Sequence, residues 1–331
     1  MNRLWQSIKR PVGGNFSRCF SSEVPEIFDR TAKRKQMDRV ASRLDERISG
    51  QLRGKVAEDL LDRLWDTNKK FPVAADVGCA EGLLLKNMSG GVGGISKLYQ
   101  CDQSQNMLMK CRKGLVNGIH ATTVLADSEF LPFLPESLDL VMSNLTMHWI
   151  NDLPGTLTQI RRALRPDGLF LASMLGGDTL IELRHAITVA SMERTGGLGS
   201  HLSPLANVAD VGGLLGGAGF SLTAVDVDTV TIMFPDAMSL LYALQDMGEN
   251  NAVHGRQMRR QTLIAAAAVY QAMYGREGGA VPATFQVIYM SGWAPHASQQ
   301  KAKTRGSAQM SLEDLREVLN KIDDGKGGRG G

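Results

Sequence analysis

The chain has 331 residues, 43% of them apolar and 21% charged, which excludes a collagen-like, coiled-coil or wholly disordered protein. Its net charge of +3 is unevenly spread: Arg3, Lys9, Arg10 and Arg18 fall in the first 22 residues, which hold no acid, leaving 33 basic and 34 acidic residues, a net of −1, for the remainder. A near-neutral body excludes a broad cationic surface for nucleic acid. Cys19, Cys79, Cys101 and Cys111 form neither a CxxC pair nor a metal-ligand spacing, so neither a disulfide framework nor a metal site is expected. No run approaches the roughly 20 apolar residues that a membrane-spanning helix needs.

Residues 1–22 are basic, contain serine and lack a continuous apolar stretch, the composition of a mitochondrial transit peptide. A disordered basic tail has the same composition. N-terminal helices are predicted over 28–44 and 56–65, packed on a sheet edge; the second carries Val56, Leu60, Leu61, Leu64 and Trp65 on one face. From residue 71 onward short apolar runs alternate with helical patterns. Strands are predicted in FPVAADVGC, SKLYQCD, ATTVLAD, SLDLVMSN and GLFLASML, with helices over 103–116, 153–164 and 205–219. A sixth strand is predicted over 221–227, a helical insertion over 235–275 and a last strand over 284–293. Alternation of this kind means a mostly parallel α/β sheet with helices on both faces. The implied organisation is a leader (1–22), N-terminal helices (23–70), an α/β domain (71–296) and a partly disordered tail (297–331). A short helix starts at Ser311 in that tail, which finishes in GKGGRGG.

DVGCAEG, residues 76–82, follows a strand and opens a helix, the context in which a glycine-rich turn brings backbone close to a ligand. Asp102 lies 20 residues beyond Gly82 at the end of the second strand, where a carboxylate can accept both hydroxyls of a ribose or, less specifically, cap the next helix. Asp127 ends the third strand at a height suited to an exocyclic adenine amine. Together these residues outline an adenosine-ligand site at the carboxyl ends of a parallel sheet.

These segments, with LADSEFLPF, ESLDLVMSNLTMHWINDLPG and LRPDGLFLASMLGGDTLIELR, resemble the successive motifs of class I S-adenosylmethionine-dependent methyltransferases, in the branch containing the malonyl-acyl-carrier-protein methyltransferases. The leader, GGDTLIELR, DMGENN, FQVIYMSGW and the RGSA tail resemble the mitochondrial respiratory complex I assembly factors of that branch, described as protein arginine hydroxylases. The resemblance implies a Rossmann-like seven-stranded sheet with a helical insertion before the last strand, and S-adenosylmethionine as cofactor. It places Asp76, Gly78, Ala80 and Gly82 around the methionyl end, Asp102 at the ribose, Asp127 and Ser128 at the adenine, and Asn144 and His148 near the sulfonium, with Trp149 beside them. Ala80 stands where a second glycine is common in the family. The resemblance also implies partners among complex I subunits and other assembly factors, and a location in the matrix, peripheral on the inner membrane.

On the acceptor side Asp178, Glu182 and Arg184 follow the fifth strand, with Asp178 and Glu182 spaced to share a helix face. They could meet a basic substrate; equally, Asp178 could cap the helix and Glu182 be solvated. His254, Asn250, Tyr289 and Trp293 are further candidates, and the catalytic set is drawn from Asp178, Glu182, His254 and Tyr289. Methyl transfer needs positioning more than a catalytic dyad. Hydroxylation ordinarily uses flavin or iron, and the six histidines form no HxD or HxE pair, so that activity follows from the resemblance alone.

Overall fold

The computed structural model describes residues 26–43, 49–88, 91–197, 203–255, 258–301 and 306. The leader, the helix expected from Ser311 and the glycine-rich end lie outside these. Met1–Pro295 form one compact unit and His296–Gly331 a second, in which Gln299 N donates to His296 O.

In chain order the elements are α1 (Arg30–Arg43), α2 (Ser49–Trp65), β1 (Val73–Val77), α3 (Leu83–Asn87), β2 (Lys97–Asp102), α4 (Gln105–Lys110), β3 (Gly114–Val116), β4 (Ile119–Leu125) and β5 (Leu138–Asn144). They continue as α5 (Leu153–Ala163), β6 (Leu164–Leu175), α6 (Ile181–Thr195), α7 (Val208–Gly217), β7 (Ser221–Phe234), α8 (Ala237–Met247), α9 (Arg260–Tyr274) and β8 (Val281–Trp293). Among the described residues eight strands form one sheet in the order β3-β4-β2-β1-β5-β6-β8-β7. β4, β2, β1, β5 and β6 run parallel, while β8 is antiparallel to both β6 and β7. The chain builds outward from β1 in one direction and then crosses to β5 on its other side. That reversal leaves a crevice above the carboxyl ends of β1 and β5.

Seven of these strands are the expected ones; β3 is the addition. The helix expected over 103–116 ends at Lys110, because Asn117 (φ 51°) and Gly118 (φ 82°) both adopt the left-handed conformation that a tight hairpin requires. β7 runs on to Phe234, seven residues past its expected end, by pairing with β8 along that length.

α2 also sits differently from the expectation. Its Val56, Leu60, Leu61 and Leu64 share one core with Leu140, Met142, Leu169 and Leu171, so it covers the face of the sheet over β5 and β6 rather than an edge. Parallel strands must be covered on both faces, and this apolar stripe supplies part of one cover. Each leucine buried there contributes about 2 kcal/mol. α5 and α7 share the core of the opposite face, with Phe170, Phe220 and Met290. The insertion is α8 and α9, of which α9 packs on α6. Among the described residues no helix is long and apolar enough to cross a membrane.

Candidate functional site

The turn after β1 is built by backbone conformation. Gly78 (φ 73°) and Gly82 (φ 73°) are left-handed, and so is Ala80 (φ 48°), which as a non-glycine bears a cost of about 1 kcal/mol. A methyl group on Gly78 would collide with the side chain of Thr146, so the turn is pressed against the end of β5. One on Gly82 would meet Gln100 and Cys111, so that glycine faces the protein interior.

A cleft of about 640 Å3, its open mouth included, lies above this turn. Asp76 of β1 and Gly78, Cys79 and Ala80 of the turn after it line the cleft, with Asp102 at the end of β2 and Gln103 just beyond, Ser128 from the loop after β4, and Asn144 at the end of β5 with Leu145 and Thr146 following it. α1 contributes Arg30, Lys33 and Met37, α2 contributes Arg53, and Trp149 and Glu249 complete the wall.

Asp102 is buried and serves as a brace. Its Oδ2 accepts from Ala80 N at 2.9 Å and its Oδ1 from Ser104 N at 2.7 Å, tying the turn after β1 to the end of β2. The cap of α4 is Ser104, whose Oγ accepts from Met107 N. Each Asp102 oxygen keeps a free lone pair for a further donor.

Asp76 is the opposite case. It is buried, yet neither carboxylate oxygen accepts a hydrogen bond. Burial, with Asp102 and Glu81 nearby, pushes its carboxyl up to about 8. Between the ordinary carboxyl value of 3.8 and about 8 the folded protein therefore holds a proton that the unfolded chain has lost, and this group's contribution to stability falls as pH rises through that window. Asp76→Asn removes the slope: its melting temperature should match wild type near pH 4 and exceed it by a few degrees near pH 8 in a fluorimetric melt. Parallel melting curves across that range would contradict the assignment.

A buried ionic cluster forms the far wall. Glu249 Oε2 accepts from Trp149 Nε1 at 3.0 Å and lies 3.1 Å from His148 Nε2; its Oε1 lies 3.7 Å from Arg53, which also approaches Glu81 at 3.8 Å. Because His148 Nδ1 accepts from Leu175 N at 3.4 Å, its proton sits on Nε2 and is donated to Glu249. Lys33 Nζ donates to Gly248 O at 2.5 Å and lies 3.3 Å from the centroid of the Trp149 ring. Burial lowers the Lys33 ammonium to about 7 and the His148 imidazole below its usual range, with Glu249 opposing both shifts. Burial would raise Glu249, but Lys33, His148 and Arg53 outweigh it and hold the carboxyl far below the ordinary range.

The sequence-predicted residues separate into groups. Asp76, Gly78, Ala80, Asp102, Ser128 and Asn144 meet around the cleft. Gly82 packs behind it, and Asp127, beside Ser128, is held by Arg30. His148 lines a second cavity beyond the wall. Asp178 precedes α6, whose first residue is Ile181, so it neither caps that helix nor shares its face with Glu182; it exchanges hydrogen bonds with the Gln286 amide. Glu182 is buried rather than solvated and accepts from Thr284 N and Oγ1, joining α6 to β8. His254 is half exposed, 4.0 Å from Glu26. Tyr289 donates to Asp59 at 3.2 Å under the Arg63 guanidinium, and Trp293 pairs with Leu169 at the opposite end of the sheet. Sequence reasoning missed Arg30, Lys33, Arg53, Glu81 and Glu249. Arg53 carried a signal, since it lies three residues before Val56 on the apolar stripe of α2.

A sheet in this order, with a glycine turn after its central strand and acids at the ends of the next two, defines a class I methyltransferase fold. Residues 75–172 match the family described as a methyltransferase domain. The solved structure of a candidate methyltransferase from Bacillus halodurans superposes with a TM-score of 0.51 at 15% identity, covering 72% of this chain and all of that one. The particular family follows from closer kinship. The chain is 43% identical over 320 residues to "Arginine-hydroxylase NDUFAF5, mitochondrial" of Danio rerio, across 96% of this chain and 95% of the relative, and it belongs to that family. It is also 34% identical over 283 residues to a malonyl-[acyl-carrier protein] O-methyltransferase of a Methylovorus strain, across 82% of this chain and 91% of the relative.

Proposed function

We propose that this chain is an S-adenosylmethionine-binding enzyme of methyltransferase fold that hydroxylates an arginine of a respiratory complex I subunit during assembly, working with other assembly factors. Kinship to an arginine hydroxylase over nearly the whole chain is the observation that carries this reading. The mitochondrial naming of the relatives, the transit-like leader and the resemblance to complex I assembly factors support a matrix protein peripheral on the inner membrane.

The cofactor fits the residues present. Asp76 offers two unengaged buried oxygens to the ammonium of a methionyl group, Asp102 keeps acceptor capacity for ribose hydroxyls, and Ser128 stands where an adenine would end. When bound, S-adenosylmethionine supplies an electrophilic methyl group on a sulfonium. Asn144 is positioned by Ser173 Oγ, which donates to its Oδ1, and by its own Nδ2, which donates to Arg53 O. Lys33, Trp149 and Glu249 form the wall opposite these strand ends. An ammonium beside Asp76 would ionise it, so cofactor binding should release a proton between pH 5 and 7, read as a buffer-dependent binding enthalpy.

Kinship with the malonyl-[acyl-carrier protein] methyltransferases favours a second reading, methyl transfer to a carboxyl or a protein side chain. A non-catalytic, cofactor-binding assembly chaperone is a third. Mass spectrometry of the complex I subunits with and without this protein separates them. An oxygen added to an arginine supports the proposal, an added methyl group supports the second reading, and an unmodified subunit that still assembles supports the third.

A further inference from the structure

Beyond the wall formed by Trp149 and Glu249, which line both spaces, lies a second cavity of about 480 Å3 including its mouth. Leu175, Leu180, Leu205, Leu244 and Phe285 give it an apolar lining. Its polar groups are largely engaged. Thr179 Oγ1 donates to Gln286 O and accepts from Gln286 N. His148 and Glu249 are joined to each other, and Glu249 also holds Trp149 and faces Arg53.

Arg184 differs from these. It is half buried on α6 and lines the cavity, and among the described residues its guanidinium has neither an ion-pair nor a hydrogen-bond partner. The acid two positions before it on the same helix, Glu182, is committed to Thr284. A guanidinium keeps its charge at any physiological pH and presents a planar fork of donors that matches a carboxylate. Set in the lining of an apolar cavity, it has surrendered part of its hydration and gains most from a bidentate anion. The other full charge on this lining, Glu249, is balanced from the opposite side by Lys33 and Arg53. The cavity therefore presents an uncompensated positive charge.

We propose that this second cavity binds a carboxylate-bearing group through Arg184. The inference deepens the reading above and rests on it in one respect: the wall shared with the cofactor cleft makes this the acceptor side. The acceptor thus carries an acidic group within reach of Arg184, supplied either by an acidic residue of a polypeptide or by a small dicarboxylic acid.

The test titrates the full chain, with and without S-adenosylhomocysteine, with three probes followed by NMR: N-acetyl-aspartate N-methylamide, its neutral asparagine counterpart, and succinate. At least one carboxylate should bind and the asparagine compound should not. Arg184→Met should weaken carboxylate binding about tenfold or more, with Arg184→Lys intermediate, consistent with loss of charge-assisted hydrogen bonds. Thermal stabilisation by S-adenosylhomocysteine should be unchanged in both variants, which shows that they fold. Tighter binding of the capped aspartate assigns the group to a polypeptide acceptor, and tighter binding of succinate to a small acid. Equal binding of the aspartate and asparagine compounds, or undiminished carboxylate binding by Arg184→Met, overturns the proposal. If S-adenosylhomocysteine fails to stabilise the wild type while Arg184-dependent binding persists, the cofactor reading falls and the carboxylate site stands.

Discussion

Replacing Glu249 by Gln should lower the melting temperature by on the order of 10 °C. The carboxylate is buried among Lys33, His148 and Arg53, and removing its charge leaves the buried Lys33 without an anionic partner and Arg53 with Glu81 alone. Breaking a buried ion pair from one side costs about 3–5 kcal/mol, far more than loss of an exposed one. The double variant Lys33→Met/Glu249→Gln should recover part of the loss, because the ammonium that most needs Glu249 is then gone. The pH dependence has a definite sign. A depressed carboxyl value stabilises the fold above the ordinary 4.5, so the gap between wild type and Glu249→Gln should narrow as the pH falls below about 4.5. Chemical denaturation at pH 7 and pH 4 measures both. A Glu249→Gln protein as stable as wild type at pH 7 would show that the cluster contributes nothing.

Asp102→Ala should abolish stabilisation by S-adenosylmethionine. A ligand at a hundred times its dissociation constant adds about 2.7 kcal/mol to native stability, and loss of both ribose acceptors should remove nearly all of it. The variant should also be less stable without ligand, by about 1–3 kcal/mol, because Ala80 N and Ser104 N lose their acceptor. The two effects are separable: the first is the difference between melts with and without ligand, the second the difference between proteins without it. Retained ligand stabilisation would show that Asp102 does not hold the ribose.

The sheet was legible because its strands are short, apolar and separated by helical periodicity, and a doubly covered parallel sheet imposes just that pattern. Boundaries failed where a local signal was overlooked. Asn117-Gly118 is a hairpin sequence, yet the segment before it has helical spacing as far as Val116. The half of the cleft that follows the strands was legible for a related reason: Asp76, Gly78 and Asp102 sit at fixed offsets from strand ends. Its other wall was not. Lys33, Arg53 and Glu249 meet from two N-terminal helices and the insertion, and nothing in their separation along the chain encodes that meeting. Asp178 and Glu182 show the converse error. An i, i+4 spacing implies a shared face only inside a helix, and α6 begins after Asp178.

A crystal structure of the protein with S-adenosylhomocysteine would show whether the crevice above β1 and β5 holds the cofactor. The ribose should lie on Asp102, the methionyl ammonium on Asp76 and the adenine beside Ser128. Density for the ligand elsewhere, or a crevice that stays empty at saturating ligand, would contradict this placement.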